Sequence, residues 1–436
     1  MSNVKPAGTA TASAFTCDYL SFLSDSPSSY HAADLVAQRL EDAGCVRQRE
    51  TDTWDTAPGG HVVVRDGAVI AYVIPESVTD SSAFRIVGAH TDSPALVLKP
   101  SVQATTADGW GQLCAEIYGG MLLNSWLDRE LKIAGRILTQ GGEQRLVATG
   151  PLARIPQLAI HLDRTVSDKG LVLDKQQHMK PVWTVDEDDA SVLDLVAQTV
   201  DLDDADQIAS FDLILTPSQG PAVFGSHGQF VAAGRQDNLS SVHSGLTAIE
   251  RLLADGISGN DVLIFACFDH EEVGSSTSSG AAGPFLEDIL RRTAASLGRD
   301  FDGTARMMAA SSCISADAGH SVHPNYADRH DPDNRPVMGR GPLLKLNANR
   351  RYSSDAPGIA LWKRAAQAAD APWQNFVSNN AMPCGTTIGP ITATRLGICT
   401  VDVGIGLLSM HSAREMSHVA DLESLSAILE AYWRGA

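Results

Sequence analysis

Residues 262–276 read VLIFACFDHEEVGSS, seven apolar or small residues followed at once by Asp269, His270, Glu271 and Glu272. Two adjacent glutamates at the end of a strand buried on both faces are costly unless cations compensate them. Other ionisable residues stand at the ends of other apolar runs: His90-Thr91-Asp92 after FRIVGA, Asp317 at the end of SSCISAD, and His411 shortly after GICTVDVG. Asp237, in GRQDNLSS, lies just ahead of a helical pattern. Open α/β sheets bind their ligands outside the carboxyl ends of the strands, which is where these groups fall. Two histidines (90 and 411), two aspartates (237 and 317) and Glu272 make five ligands without cysteine, with Glu271 left free. That set suits two divalent cations if one aspartate bridges. Cations held about 3.5–4 Å apart polarise a carbonyl and activate a shared water. Glu271 would accept that water's proton and return it to a leaving amine. Adjacent side chains of an extended chain point opposite ways, so Glu272 can face a metal while Glu271 faces the water. In the H-x-D pair, Asp92 would accept the second N–H of His90 and fix its tautomer.

Each residue taken singly has a plainer reading. His90 suits a satisfied strand-end histidine, Asp237 an N-cap for a helix starting near Ser240, and Asp317 a turn residue. His270 reads as structural, and Cys384 in PCGTTIGP as loop packing.

These groups need elements to hold them. SSYHAADLVAQRLEDAG (28–44) carries Ala33, Val36, Ala37 and Leu40 at helical spacing, with Ser29 as N-cap and Gly44 as the stop. HVVVRDGAVIAYVI (61–74) is two β-rich runs around Asp66-Gly67, a short hairpin signal. Continuous apolar runs at 84–90, 262–268, 311–317 and 397–404, with helical patterns such as 240–256 between them, predict an α/β layer with a mainly parallel sheet covered on both faces. Residues 96–225 differ, with shorter strand patterns broken by Gly and Pro and then an acidic stretch. They predict a β-rich domain inserted into a catalytic unit made of residues 1–95 and 226–436.

The chain has 436 residues, 44% hydrophobic content and a net charge of −19, enough for a large core and opposed to a nucleic-acid partner. The first twenty residues lack an apolar core segment, and no run approaches the roughly 18–20 apolar residues of a membrane span. Seven scattered cysteines suit buried thiols in a reducing compartment, so a cytoplasmic protein without a membrane association is expected. The Ala/Thr/Ser-rich N-terminus reads as dispensable.

Nine stretches, in order, resemble the aspartyl aminopeptidases, a family of cocatalytic dizinc exopeptidases: GAHTDSPALVLKP, YGGMLLNSWLDRELKIAGR, IPQLAIHLDR, RQDNLSS, DHEEVGSSTSSGA, ISADAGHSVHPNY, GPLLKLNANRRYSSD, PCGTTIGPITATRLG and MHSARE. They cover about residues 15–430. The resemblance implies a zinc-exopeptidase-like mixed sheet and two zinc ions per subunit, replaceable by cobalt or manganese. It makes Asp237 the bridge, His90 and Asp317 the rest of one site, and Glu272 and His411 the rest of the other. It also makes Glu271 the general base and Asp92 the carboxylate orienting a metal-bound histidine. Lys345 matches a lysine near the substrate pocket, able to pair with an acidic N-terminal side chain; without the resemblance it reads as a surface lysine at a strand end. His161 matches a histidine that the inserted domain sends into a neighbouring subunit's active site; without the resemblance it reads as a core or interface residue. The implied partners are peptides with free N-termini, and the implied assembly is a homo-oligomer in which the inserted domain makes dimers and dimers build a hollow tetrahedral dodecamer.

The resemblance implies removal of an N-terminal Asp or Glu. One departure bears on it: Ala381 and Met382 stand where many relatives have Asp followed by Ser or Thr, which would relax the preference toward neutral residues. A second, Gly406 where proline is frequent, would alter the loop leading to His411 and leave that ligand in place. The alternatives are the same chemistry with neutral or hydrophobic preference, a dimetal N-acyl amino acid deacylase, or a non-catalytic assembly protein. The last should show substitutions among the metal ligands and Glu271, and there are none.

Overall fold

The computed structural model describes residues 12–187 and 189–436; most of the Ala/Thr/Ser-rich start expected to be dispensable (1–11) and Asp188 lie outside them. A nine-stranded mixed sheet runs in the order Val46–Arg47, Gly59–Arg65, Ala68–Ile74, Val262–Phe268, Phe84–His90, Ser312–Ala316, Cys399–Gly404, Leu343–Leu346, Gln374–Val377. Its four central strands, from Val262–Phe268 to Cys399–Gly404, are mutually parallel. Their carboxyl ends therefore share one edge, with His90 directly beside Phe268 in register. Gly59–Arg65 and Ala68–Ile74 form the expected hairpin, with Asp66 at φ 55° in its turn.

Burial explains why the central strands do not alternate apolar and polar. Leu263, Phe265 and Cys267 face one core, packed with Tyr19, Val36, Leu246, Leu425 and Trp433 from helices on that side. Val262, Ile264, Ala266 and Phe268 face a second core with Phe285, Ile289, Met307 and Ile388 on the other. Both faces being covered, each position of Val262–Phe268 is buried.

Two helix starts depart from the sequence reading. Ser28, not Ser29, caps Ser29–Asp42, its hydroxyl accepting from the His31 N–H. The helix expected from Ser240 spans Gln236–Asp255, with non-helical backbone at Asp237 and Asn238 and a cis peptide bond between them. Its first turn is held by the buried Gln236 amide, which donates to the carbonyls of Val231, Ala233 and Glu415.

A second, antiparallel sheet of seven strands is built between Ala95 and Pro217, and Ile208–Pro217 pairs with both Ala95–Thr105 and Glu130–Thr139. It encloses its own core, including Leu113, Ile133, Val147 and Leu213, with Val192 and Val196 of the helix Val192–Thr199. Arg136 ties the two sheets together. It stacks over Tyr30, pairs with Asp66 of the first sheet's hairpin at 2.8 Å, and pairs with Asp212 of the second at 2.7 Å.

Candidate active site

The parallel edge collects the predicted residues. His90 ends its strand, Asp317 follows Ser312–Ala316 with its N–H donated to the Val403 carbonyl, and the acidic turn follows Val262–Phe268. That turn corrects one expectation: Glu271 and Glu272 lie in a 3₁₀ turn, Glu271–Val273, rather than in extended chain. Successive side chains of such a turn diverge by about 120°, which still sends the two carboxylates apart. Glu271 Oε2 lies 3.9 Å from His90 Nε2, and Glu272 Oε2 lies 3.3 Å from His411 Nε2.

Asp237 stands between the histidines. Its Oδ1 is 3.3 Å from His90 Nε2 and its Oδ2 is 3.3 Å from His411 Nε2. Two ligand groups result, His90–Asp237–Asp317 and Asp237–Glu272–His411, each with donor atoms within 4.8 Å of one another. Asp237 does not act as an N-cap; among the described residues its carboxylate accepts no helix N–H, and its Oδ1 is buried without a hydrogen-bond partner, as is Glu272 Oε1. Buried carboxylate oxygens left unsatisfied on Asp237 and Glu272, on either side of the bridging position, fit cations shared at Asp237.

The surrounding groups set each tautomer. His90 Nδ1 lies 3.3 Å from Asp92 Oδ1 and 3.1 Å from the Asp92 carbonyl, so Nδ1 is the nitrogen that keeps its proton when a cation takes Nε2. His411 Nδ1 lies 3.1 Å from the Gly120 carbonyl, which can only accept, so its Nε2 is likewise the nitrogen that would give up its proton to a cation. Asp92 also accepts the N–H groups of Glu271 and Glu272, at 3.0 and 3.1 Å, and the Tyr118 hydroxyl at 2.7 Å. It thus fixes both His90 and the acidic turn.

Electrostatics follow from burial and proximity. Burial alone would lower the His90 pKa, but the adjacent Asp237 and Asp92 carboxylates outweigh it and hold the imidazolium well above the usual range. His411 loses similarly to burial, yet Asp237 and Glu272 lift it to about 10. Burial pushes the Glu271 carboxyl up to about 8 and, with the Asp237 charge, raises Glu272 as well. A cation-free pocket therefore retains protons that cations would displace.

Lys345 is not on the surface. It is 1% exposed, with Nζ donating to the Ala318 carbonyl at 2.7 Å and 3.4 Å from Asp317 Oδ1. His161 is exposed on the segment after Ala153–Arg154, so the core reading fails, and it hydrogen-bonds to none of the site residues of its own chain. His270, at φ 63°, contacts Thr277 Oγ1 at 3.0 Å and organises the following loop. Cys384 packs against Leu343, Tyr352 and Phe376. Ala381 and Met382 lie in the loop after Gln374–Val377, where Met382 lines a cleft with Asn347, Arg351 and Asn379.

Sequence reasoning missed Glu415 and Asn238. Glu415 is buried and accepts the N–H groups of Asp237 and His411. The Asn238 amide donates to the Ala316 carbonyl and accepts from the Ala318 N–H, bracketing Asp317. Both stand inside singled-out stretches, Glu415 in MHSARE and Asn238 in RQDNLSS, and that membership was their only signal.

The profile described as aminopeptidase I zinc metalloprotease (M18) matches residues 22–433. The chain belongs to the M18 family. It is 48% identical over 423 residues to a probable M18 family aminopeptidase 2 of Streptomyces avermitilis, covering 96% of this chain and 98% of that one. It is 39% identical over 427 residues to the protein of the same description from Pseudomonas putida, covering 95% and 97%. In structure it is similar to Ape4 in its complex with Nbr1 (TM-score 0.92, 33% identical, 96% of this chain and 85% of that one) and to the mApe1 dodecamer (TM-score 0.84, 26% identical, 97% of both). As an M18 protein it is a zinc metallo-aminopeptidase, which sets aside the deacylase and the non-catalytic assembly protein. The described residues contain no helix long and apolar enough to cross a membrane.

Proposed function

We propose that this M18 enzyme removes an N-terminal Asp or Glu from peptides, using two zinc ions held by His90, Asp237, Asp317, Glu272 and His411. The observation that carries the two-metal part is Asp237, whose two oxygens face the two histidines separately. When bound, the cations supply Lewis-acid polarisation of the scissile carbonyl and a water of lowered pKa. Glu271, which ligates in neither group, is the base that takes a proton from that water and delivers it to the leaving amine. Asp92 holds His90 and the turn that carries Glu271.

Support for acidic preference is Lys345. An ammonium has three N–H donors, and Ala318 and Asp317 account for two of them, leaving one for a substrate carboxylate beside the ligand group. A neutral preference is favoured by Met382 in the cleft beyond the ends of Leu343–Leu346 and Gln374–Val377.

The segment 96–225 is proposed to make dimers, with His161 reaching a neighbouring active site. Leu158, Ile160 and Leu162 flank it, 64%, 52% and 74% exposed, apolar side chains that suit burial against a second copy. Dimers would build a tetrahedral dodecamer, in line with the similar mApe1 dodecamer. Seven free cysteines support a reducing, cytoplasmic location. The test is the initial rate on Asp-, Glu- and Leu-p-nitroanilide with metal-stripped and zinc-restored enzyme. Zinc-dependent preference for Asp and Glu is expected. Zinc-dependent preference for Leu would replace the acidic reading, and zinc-independent turnover would overturn the metal mechanism.

A further inference from the structure

Three consecutive residues at the exit of a second-sheet strand press against three residues of the metal site. Trp110–Tyr118 is a strand of that sheet, and the chain leaves it as Tyr118-Gly119-Gly120. The Tyr118 hydroxyl donates to Asp92 Oδ2 at 2.7 Å, on the carboxylate whose other oxygen lies 3.3 Å from His90 Nδ1. Gly119, at φ 71°, passes so close to the acidic turn that a Cβ there would lie 3.1 Å from Glu272 Cβ. The Gly120 carbonyl stands 3.1 Å from His411 Nδ1, and a Cβ on Gly120 would lie 3.3 Å from the same nitrogen. The grip continues beyond the glycines. The Leu122 N–H donates to the His411 carbonyl at 3.0 Å, and Ser125 Oγ accepts from the Ala413 N–H at 2.9 Å.

We propose that this strap positions the metal ligands, so that the second sheet, besides any role in assembly, sets how tightly the first sheet holds its cations. Tyr118 is a positioning residue: it acts on His90 and on the Glu271–Glu272 turn through Asp92. The Gly120 carbonyl has the same relation to His411 directly, fixing the proton on Nδ1 and turning Nε2 toward Asp237 and Glu272. Glycine is required at both following positions for separate reasons. Gly119 adopts a backbone that side chains disfavour, and Gly120 must let its carbonyl reach the imidazole without a Cβ in the way. Arg136 bridges the sheets through Asp66 and Asp212, so one docking geometry serves both histidines.

The inference rests on the reading that His90, Asp237, Asp317, Glu272 and His411 bind metal, and the experiment separates the two. Zinc affinity is measured on the full chain by competition with a chromogenic chelator, and thermal unfolding is recorded with and without zinc. Wild type, Tyr118→Phe, Gly120→Ala and His411→Ala are compared. Tyr118→Phe keeps the ring and removes only the hydroxyl, while Gly120→Ala places a methyl against His411 without changing the backbone region. Loss of an outer hydrogen bond of this kind costs about 10- to 100-fold in metal affinity. That loss is expected in both strap variants, with a smaller zinc-induced rise in unfolding temperature and a zinc-free midpoint close to wild type. Should Tyr118→Phe fail to fold, Gly120→Ala decides. Wild-type zinc affinity in the strap variants, or a lowered zinc-free midpoint with an unchanged zinc increment, overturns the strap while leaving the metal reading intact. Wild-type zinc affinity in His411→Ala overturns the metal reading itself.

Discussion

The backbone N–H of Asp237 donates to Glu415 Oε2 at 3.1 Å, while the N–H of His411 donates to the other oxygen of the same carboxylate at 2.8 Å. Glu415 is buried, so one side chain joins the backbones of two proposed ligands that lie far apart in sequence. Glu415→Ala leaves both N–H groups buried without acceptors, each costing about 1–3 kcal/mol. Urea unfolding should show a loss of a few kcal/mol. Glu415→Gln keeps the shape and one acceptor and should lose less. Equal stability of Glu415→Ala and wild type would mean that these N–H groups find other partners.

Glu271→Gln separates base from ligand. Glu271 belongs to neither ligand group, its nearest imidazole nitrogen being 3.9 Å away. Turnover should fall by about 10²–10⁴-fold, the usual contribution of a positioned proton acceptor, with zinc content near wild type. Elemental analysis beside steady-state rates checks both halves. Substantial remaining activity would assign the base elsewhere.

Without metal, the site should lose stability as pH rises. The folded-state pKa of His411 is lifted to about 10 because Asp237 and Glu272 outweigh its burial, and burial lifts Glu271 to about 8. Both groups bind more protons folded than unfolded, so the stability they contribute is present at low pH and lost as pH climbs through these values. Unfolding temperatures of chelator-treated enzyme should fall from about pH 5 to about pH 10, Glu271 acting over the lower part of that range and His411 over the upper. Zinc affinity should rise over the same interval, because uptake expels those protons. A flat profile for the metal-free enzyme would contradict the raised values.

The sequence was most legible where one physical cause dominated. The strands at 84–90 and 262–268 were readable because burial on both faces left uninterrupted apolar runs, and the charge behind them marked the sheet's working edge. Strand order was not readable, since Val262–Phe268 inserts between Ala68–Ile74 and Phe84–His90 through contacts formed only in three dimensions. The expected start near Ser240 missed the first turn of its helix because Gln236 is held by carbonyls from distant segments, Glu415 among them. Lys345 could not be told from a surface lysine, because its partners Ala318 and Asp317 lie at the exit of Ser312–Ala316, two strands away in the sheet. Glu415 stood in MHSARE without a readable role because its donors are backbone groups, and a backbone N–H has no sequence signature.

The helix Gln236–Asp255 is seated closely on the sheet. A Cβ at Gly245 would lie 2.4 Å from Phe265 Cε2, inside the core of the central strand. Gly245→Ala must push the helix or the ring aside, an overpacking cost of about 1–3 kcal/mol. Thermal unfolding should show that loss, and stability equal to wild type would mean the Phe265 ring yields freely.

Lys345→Met tests the specificity reading. Methionine nearly preserves the length and apolar stem while removing the charge that meets Ala318 and Asp317. A hydrogen bond to a charged group contributes about 1.5–3 kcal/mol, roughly ten- to a hundredfold in rate if it is made to the substrate. If the third donor meets the substrate's acidic side chain, kcat/KM on the Asp-substrate should fall by that factor more than kcat/KM on the Leu-substrate. Both substrates would suffer any damage done through Asp317, so the ratio of the two losses isolates recognition from ligand positioning. Equal losses would remove Lys345 from specificity and leave it as the cation that neutralises Asp317, moving selection to the cleft where Met382 lies beside Arg351.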